Sequence, residues 1–242
     1  LLRQRRNRLV GILNGVDYSR WDPASDHLLP HTYSVRDTDG KRVCRTELIT
    51  RSGLSEAGNL PILGMVSRLA EQKGIDLVLE ALPAFLRNNS CRAVILGEGD
   101  KPYADALQEL ADEMPDRIAF IPAHSEALAR LIFAGSDAFL VPSLYEPCGL
   151  TQMYALRYGS VPIVRDTGGL HDTVSHFDPP SGTGTGSVFR DADSGGLGWA
   201  ISEVLAWYQQ PSAWQRLRHN GMTQDFSWTH QAPHYLALYR RL

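Results

Sequence analysis

Short apolar runs separated by amphipathic segments dominate the chain from Pro61 onward. Five runs stand out, at 62–66, 93–96, 117–121, 138–141 and 161–164. Because they do not alternate with polar residues, they predict strands that are buried on both faces of a parallel sheet. Helical periodicity fills the intervals between them, over 75–86, 103–114, 125–134 and 150–158.

This alternation of strands and helices predicts the fold class. Strand–helix–strand units joined by right-handed crossovers build a doubly wound, Rossmann-like α/β domain around a parallel sheet. Beyond Pro179 the pattern predicts a glycine-rich loop and a short edge strand at 188–189. Three closing helices follow, at 194–208, 212–222 and 228–242.

The first sixty residues lack this regularity. They are polar and rich in turn signals, and Asn14-Gly15 and Asp39-Gly40 predict tight turns. A short amphipathic stretch near Leu48 ends the region. We therefore expect a connector followed by a surface excursion in this part of the chain.

The loop at 67–74 is a first candidate for ligand binding, because doubly wound sheets bind ligands outside the carboxyl ends of their strands. It follows the first strand and carries Arg68 and Lys73. Arginine offers a bidentate fork and lysine a point charge, so the two can grip a diphosphate. The alternative is a pair of ordinary surface cations, although a helix N-terminus disfavours positive charge.

A second strand-end segment combines an acid with a helix start. After the strand ending at Val141 come Glu146 and a helix predicted to begin near Gly149. The N–H groups of Gly149, Leu150 and Thr151 would face an anion. The Glu146 carboxylate can accept hydrogen bonds from sugar hydroxyls or stabilise positive charge on a sugar ring. The alternative is that Glu and Pro simply open a helix.

Weaker signals surround these two segments. Thr167-Gly168-Gly169 can complete a phosphate or sugar pocket, but Gly-Gly turns are common. The sequence contains neither GxGxxG nor a P-loop, so those nucleotide sites are not indicated. Cys148 lies at a helix N-terminus that would lower its thiol pKa, yet no histidine is close in sequence to act as its base.

Composition and charge narrow the function classes. The chain is 43% hydrophobic and 21% charged, and its net charge of −3 without a basic stripe argues against a nucleic-acid partner. The three cysteines are widely spaced and the eight histidines lack the spacing of metal ligands, so no metal site is indicated. The small, odd number of cysteines suits a reducing cytosol. No apolar run reaches the roughly 18 residues expected of a membrane span.

Several motifs together resemble the bacterial glycogen synthase and plant starch synthase family. They are GILNGVD at 11–17, SRL with QKG at 67–74, VPS with EPCGLTQ at 141–152, R with TGGL at 165–170, and DFSW at 225–228. Their order and spacing hold over almost the whole chain. The resemblance is therefore to this family and not merely to its fold.

The resemblance implies the GT-B architecture, in which two Rossmann-like domains face each other across a cleft. This chain would be the carboxyl-terminal half. Residues 1–20 would be the interdomain connector, 21–225 the nucleotide-sugar-binding domain, and 226–242 a helix that packs toward an amino-terminal domain with no counterpart in this sequence. The family moves glucose from ADP-glucose to an α-1,4-glucan with retention of stereochemistry and without a metal or other cofactor. A member would work in the cytoplasm, or in the plastid of a plant.

The resemblance also implies residue roles. Arg68 and Lys73 would bind the diphosphate and stabilise the departing ADP, and Glu146 would contact the donor glucose; these are the expected catalytic residues. The expected nucleotide-sugar-binding residues are Asn14, Cys148, Gly149, Leu150, Thr151, Thr167, Gly168 and Gly169.

The sequence departs from the family pattern after the third strand. Pro122-Ala123-His124 stands where the family usually carries a Gly-Tyr type turn near the nucleotide base, which leaves the choice between ADP and UDP open. Two other functions also stay open. One is a non-catalytic module that binds nucleotide or glucan, and the other is a different GT-B enzyme of nucleotide sugars.

Overall fold

A single parallel sheet organises the chain in the computed structural model, which describes residues 3–55, 60–88 and 90–241. Within that part the strands are β1 (Ile62–Val66), β2 (Arg92–Leu96), β3 (Ile118–Ile121), β4 (Ala138–Val141), β5 (Val161–Arg165) and β6 (Ser187–Phe189). Their spatial order is β3-β2-β1-β4-β5-β6, and all neighbouring pairs are parallel. This is the strand order of a doubly wound α/β fold, so the predicted fold class is confirmed.

Helices cover both faces of the sheet. They are α1 (Asp39–Ser52), α2 (Ile75–Arg87), α3 (Lys101–Glu113), α4 (Glu126–Gly135), α5 (Thr151–Arg157), α6 (Gly168–Thr173), α7 (Ser194–Tyr208), α8 (Pro211–Met222) and α9 (Trp228–Tyr239). Short 3-10 helices occupy Arg3–Arg8 and Glu71–Lys73. None of the helices in the described ranges is long and apolar enough to span a bilayer.

Side chains of successive strand residues lie in two separate hydrophobic cores, one on each face of the sheet. Leu63 and Met65 point to one face, where they join a cluster with residues of α2, α3 and α7. Ile62 and Val94 belong to the cluster on the opposite face, which includes residues of α1, α4 and α5. The central strands are buried on both faces, and for this reason their sequences are continuously apolar rather than alternating, apart from the buried Arg92 that begins β2.

Both turn predictions in the first sixty residues are wrong. Asp39 and Gly40 open the 14-residue helix α1, and Asn14 and Gly15 lie outside any turn. The two glycines serve close approach of backbone segments instead. A Cβ added at Gly40 would lie 2.3 Å from a backbone oxygen, and one added at Gly15 would lie 2.6 Å from the Trp228 ring.

A buried lysine explains why α1 looked irregular in the sequence. Lys41 lies on the buried face of the helix and is only 6% exposed. Its ammonium donates hydrogen bonds to the carbonyls of Ala134 (2.7 Å), Ser136 (2.8 Å) and Tyr158 (3.2 Å). These carbonyls lie at the C-terminal ends of α4 and α5, where the helices provide no donors of their own. Lys41 therefore ties α1 to two helix ends.

The segment around Val16 lies beside the segment at 226–228 that leads into α9. The Val16 amide donates to the Phe226 carbonyl at 2.7 Å, and the Trp228 amide donates to the Val16 carbonyl at 3.3 Å. Farther along α9, Leu236 and Tyr239 are 54% and 68% exposed. The packing of this helix toward another domain, and the domain boundaries drawn from the sequence, stay predictions.

Lys41→Met is expected to lower the free energy of unfolding by about 1–3 kcal/mol, because the Ala134 carbonyl loses its side-chain donor and the Ser136 and Tyr158 carbonyls keep only Ser160 Oγ and Tyr33 Oη. Urea unfolding followed by circular dichroism measures the change. The matched control is Lys101→Met, since that side chain is 83% exposed and pairs with Asp105 on the surface. The control should cost less than about 1 kcal/mol. Equal losses in the two variants would contradict the assigned role of Lys41.

Candidate functional site

A cleft of about 870 Å³ opens at the carboxyl ends of β1, β2 and β4. The strand order reverses between β1 and β4, so the connections that leave these strands diverge to opposite faces and leave a crevice. The loop after β1 contributes Arg68 and Lys73 to the lining, and the segment after β4 contributes Ser143 and Thr151. The cleft therefore lies where a doubly wound sheet is expected to bind its ligand.

The two strand-end loops hold each other in place. The Leu144 amide donates to the Gln72 carbonyl at 2.8 Å, and the Gln72 side chain donates to the Tyr145 carbonyl at 3.0 Å. Gly74 adopts a φ of 68°, and a Cβ there would lie 2.2 Å from the Pro142 carbonyl oxygen. Only glycine permits this approach, so side chains on the two loops keep a fixed relation.

Lys73 and Glu146 form an ion pair between these loops. Lys73 Nζ lies 2.6 Å from Glu146 Oε2, and the two side chains are 24% and 10% exposed. Ser143 Oγ donates a longer hydrogen bond, 3.3 Å, to the same carboxylate oxygen. Such partners are needed because an unpaired charge that is this well shielded from water would be costly. The pair places two of the predicted catalytic residues in direct contact.

Arg68 differs from Lys73 in its surroundings. Its side chain is exposed at the cleft, and Nη2 lies 3.4 Å from Gln72 Oε1. Within the described ranges, no carboxylate forms an ion pair with Arg68. Its guanidinium is therefore available to an anion without first giving up a partner.

Two glycines seat α6 directly against the segment that carries Glu146. The Gly169 amide donates to the Glu146 carbonyl at 2.9 Å. A Cβ at Gly168, which has a φ of 48°, would lie 2.1 Å from that carbonyl oxygen, and one at Gly169 would lie 2.1 Å from the Cys148 carbonyl oxygen. The segments at 146–151 and 167–169, predicted separately, are thus packed against each other.

The buried side chain of Gln152 fixes the turn before α5. Its amide nitrogen donates to the carbonyls of Cys148 and Gly149, both at 3.0 Å, and to Thr173 Oγ1 at 3.1 Å. Sequence reasoning assigned Gln152 only to a motif. Its structural role depends on contacts that join the turn to α6, which the local sequence does not show.

The helix after this turn begins at Thr151, two residues later than predicted. Gly149 instead adopts a left-handed φ of 73°, which favours glycine. In the described part of the chain the amides of Gly149, Leu150 and Thr151 donate no hydrogen bond, as expected for groups before and at a helix start. They remain able to donate to an anion.

Asn14 and Cys148 are neighbours despite their distance in sequence. The Asn14 amide donates to Cys148 Sγ at 3.3 Å, which brings the first segment of the chain to the turn before α5. Burial raises the pKa of the Cys148 thiol, so the group stays protonated near neutral pH. This environment does not favour a nucleophilic role for Cys148.

Aromatic side chains at the other end of the cleft escaped the sequence analysis. Trp21 stacks on Tyr154 with ring centroids 4.0 Å apart, and both line the cleft together with Ala123 and His124. Arg130, itself buried, lies 4.1 Å from the centre of the Trp21 ring. Trp21 and Tyr154 come from distant parts of the chain, and no local pattern links them.

A larger groove, about 1190 Å³, lies between the glycine-rich loop at 179–185 and α8. It contains none of the predicted site residues. The smaller cleft is the stronger candidate because Arg68, Lys73 and Thr151 line it and Glu146 is paired with Lys73 beside it.

The cleft has the chemistry of a site for a phosphorylated ligand. Two cations and three amides can hold phosphate oxygens, and Glu146 can accept hydrogen bonds from hydroxyl groups. A doubly wound domain with such groups at its strand-order reversal defines a nucleotide-binding class of α/β protein.

Comparison with known proteins gives the family. The family described as glycosyl transferases group 1 matches residues 49–219, and the chain belongs to it. Glycogen synthase of Anaeromyxobacter sp. strain Fw109-5 is 46% identical over 242 residues, all of this chain and 50% of that protein. The chain thus spans about half the length of the curated relatives it matches.

Solved structures agree with this assignment. The catalytic domain of starch synthase IV from Arabidopsis thaliana, bound to ADP and acarbose, aligns with a TM-score of 0.92 and 36% identity over 99% of this chain and 50% of that one. Sucrose-phosphate synthase from Thermosynechococcus elongatus aligns with a TM-score of 0.61 and 25% identity over 81% of this chain and 48% of that one. The resemblance to glycogen and starch synthases is confirmed.

Gly169→Ala is expected to destabilise the fold by about 2 kcal/mol or more and to weaken ligand binding, because its Cβ would collide with the Cys148 backbone. Thermal unfolding and nucleotide titration measure the two effects. Gly198→Ala in α7 is the matched control, since its Cβ would approach nothing closer than Phe85 at 3.9 Å. Alanine there should be neutral or stabilise by up to about 1 kcal/mol. Similar behaviour of the two variants would argue against the packing role of Gly169.

Proposed function

We propose that this chain is the nucleotide-sugar-binding half of a retaining glycosyltransferase that moves glucose from ADP-glucose to an α-1,4-glucan. The observation that carries the proposal is that Arg68 and Lys73 line one cleft at the strand-order reversal and that Glu146 is ion-paired with Lys73 beside it. Relatives named glycogen synthase and a starch synthase structure that binds ADP and acarbose support the donor and acceptor classes.

The chemistry of transfer matches these groups. When the bond between glucose C1 and the diphosphate breaks, the leaving diphosphate gains negative charge. In the proposal Arg68 and Lys73 stabilise that charge, and the amides of Gly149, Leu150 and Thr151 bind phosphate oxygens. Electrostatic stabilisation of a leaving group by positioned donors is often the largest single contribution to catalysis.

Glu146 has two tasks in this scheme. Without ligand it neutralises Lys73 at 2.6 Å. When a diphosphate approaches Lys73, the carboxylate becomes able to accept hydrogen bonds from glucose hydroxyls or to offset positive charge on the sugar ring. The pair therefore supplies one group to each side of the bond that breaks.

The proposed remaining binding residues surround the same point. Asn14 and Cys148 would border the glucose, and Thr167, Gly168 and Gly169 would close the sugar end through their contact with the Glu146 segment.

The acceptor glucan and a second domain are the proposed partners of the whole protein. The relatives are about twice as long as this chain, which supports an additional domain across the cleft. Exposed apolar residues at the two chain ends, Leu9, Val10, Trp228, Leu236 and Tyr239, offer it a contact surface. Location in the cytoplasm, or in a plastid, is part of the same proposal.

Calorimetry of this chain with ADP, UDP and their glucose esters tests the binding half of the proposal. We expect binding of ADP and ADP-glucose and almost no glucose transfer to glycogen, because the opposite wall of the active site belongs to another domain. The UDP titrations test whether the turn with Ala123, which stands where the family has a turn near the nucleotide base, changes the choice between ADP and UDP. Absence of heat with every nucleotide would contradict nucleotide binding, and efficient glycogen elongation by the chain alone would contradict the half-site.

Lys73→Ala in the complete protein is expected to lower the transfer rate by about 10²–10³-fold, since one charge that stabilises the leaving diphosphate is lost. Lys101→Ala removes an exposed lysine outside the cleft and should leave the rate unchanged. Because Lys73→Ala leaves Glu146 unpaired, the double variant Lys73→Met/Glu146→Gln provides a neutral pair that should fold and stay inactive. A near-normal rate in Lys73→Ala or in the double variant would contradict a role of Lys73 in the chemistry.

A further inference from the structure

A separate groove of about 720 Å³ lies at the β6 edge of the sheet. It is bounded by the segment 166–176, by β6 and by the start of α7. None of the residues assigned above to the nucleotide sugar lines it. Asp166 nevertheless immediately precedes the segment 167–169, which packs against the Glu146 segment beside the cleft.

An exposed tryptophan in this groove is held by a ladder of rings. Trp199 on α7 is 48% exposed and stacks on His176, with centroids 5.3 Å apart and planes 16° from parallel. His176 in turn meets the edge of Trp207, which is 3% exposed, at 5.3 Å. The His176 Nδ1 accepts a hydrogen bond from the Val188 amide at 3.1 Å, which pins the imidazole to β6. Trp199 is thus exposed and fixed at the same time.

Polar side chains line the same groove as this ring. The Asp166 carboxylate lies 2.5 Å from His171 Nδ1 and 3.4 Å from Arg190 Nε. The Arg190 side chain is 87% exposed, so its other nitrogens face solvent. Gly195 and Gly196 at the start of α7 add no side chains to the lining.

We propose that this groove binds a segment of an α-glucan chain. A pyranose ring has apolar C–H faces and a rim of hydroxyls. A fixed indole can pack against the face while Asp166 and Arg190 hydrogen-bond with the rim. The inference takes its ligand class from the proposed function and adds a second glucan subsite to it.

Other occupants fit this groove less well. A nucleotide phosphate would meet the carboxylates of Asp166 and Asp191, and Arg190 already pairs with Asp166. A stable protein interface needs on the order of 1,000 Å² of complementary surface, and among the described residues this groove offers only one large apolar side chain that is well exposed, Trp199. A glucan requires only one platform per bound ring.

The position of the groove suggests what a glucan bound there would do. A glucan chain held at the β6 edge would stay near the cleft between transfers. The local concentration of chain ends would rise without any new contact to the reacting atoms, as for other tethered ligands.

Affinity electrophoresis of this chain in gels cast with glycogen tests the proposal. We expect glycogen to retard the unmodified chain, and Trp199→Ala to weaken that binding by about tenfold. Trp199→Phe should retain part of the retardation because it preserves an apolar face. Tyr239→Ala, which removes an exposed aromatic on α9, is the matched control and should migrate as the unmodified chain does.

Calorimetry with ADP on the same variants keeps this test apart from the proposed function. If ADP binds and glycogen retards neither the unmodified chain nor its variants, the groove assignment fails and the nucleotide site stands. If glycogen retards the chain, Trp199→Ala weakens that retardation and ADP does not bind, the groove stands and the proposed function fails. Retardation that Trp199→Ala leaves unchanged, or a self-association that Trp199→Ala abolishes, would overturn the glucan site.

Discussion

The candidate site depends on the parallel pairing of β1 with β4. These strands are adjacent in the sheet although more than seventy residues separate them in sequence. Their pairing places a lysine-bearing loop beside a glutamate-bearing loop and brings Lys73 into contact with Glu146, 73 positions away. The close packing needed here is visible at Gly64, where a Cβ would lie 2.4 Å from Ser136 Oγ. A larger residue at that point would push α4 and β4 away from β1.

The ion pair at this junction also solves an electrostatic difficulty. The proposed function requires concentrated positive charge near a leaving diphosphate, and such charges repel each other in a cleft partly shielded from water. Glu146 neutralises Lys73 while Arg68 extends toward solvent. Of these two cations, the shielded one is therefore paired and the unpaired one is exposed.

Sequence patterns were sufficient for the sheet and for the choice of strand-end loops. Doubly buried strands such as β4, and β2 after Arg92, are apolar throughout, and a run of this kind can be recognised from sequence alone. Helix α1 could not be predicted from the sequence, because Gly40 and Lys41 occupy part of its buried face and interrupt the apolar stripe that marks a helix. Residues that work through distant partners were equally hidden. The stack of Trp21 on Tyr154 depends on tertiary contacts that no local spacing encodes.

The anchoring of α1 by Lys41 has a consequence for synthesis of the chain. Helix α1 precedes every strand, yet the Tyr158 carbonyl that its ammonium binds lies 117 residues later. At roughly 5–20 residues per second, the nascent chain waits on the order of ten seconds before that acceptor is made. During this interval α1 has neither its helix-end acceptors nor the sheet face that buries Leu48. Helix α1 is thus made before the sheet and the helix ends that pack it, and it is among the last of these elements to become stably packed.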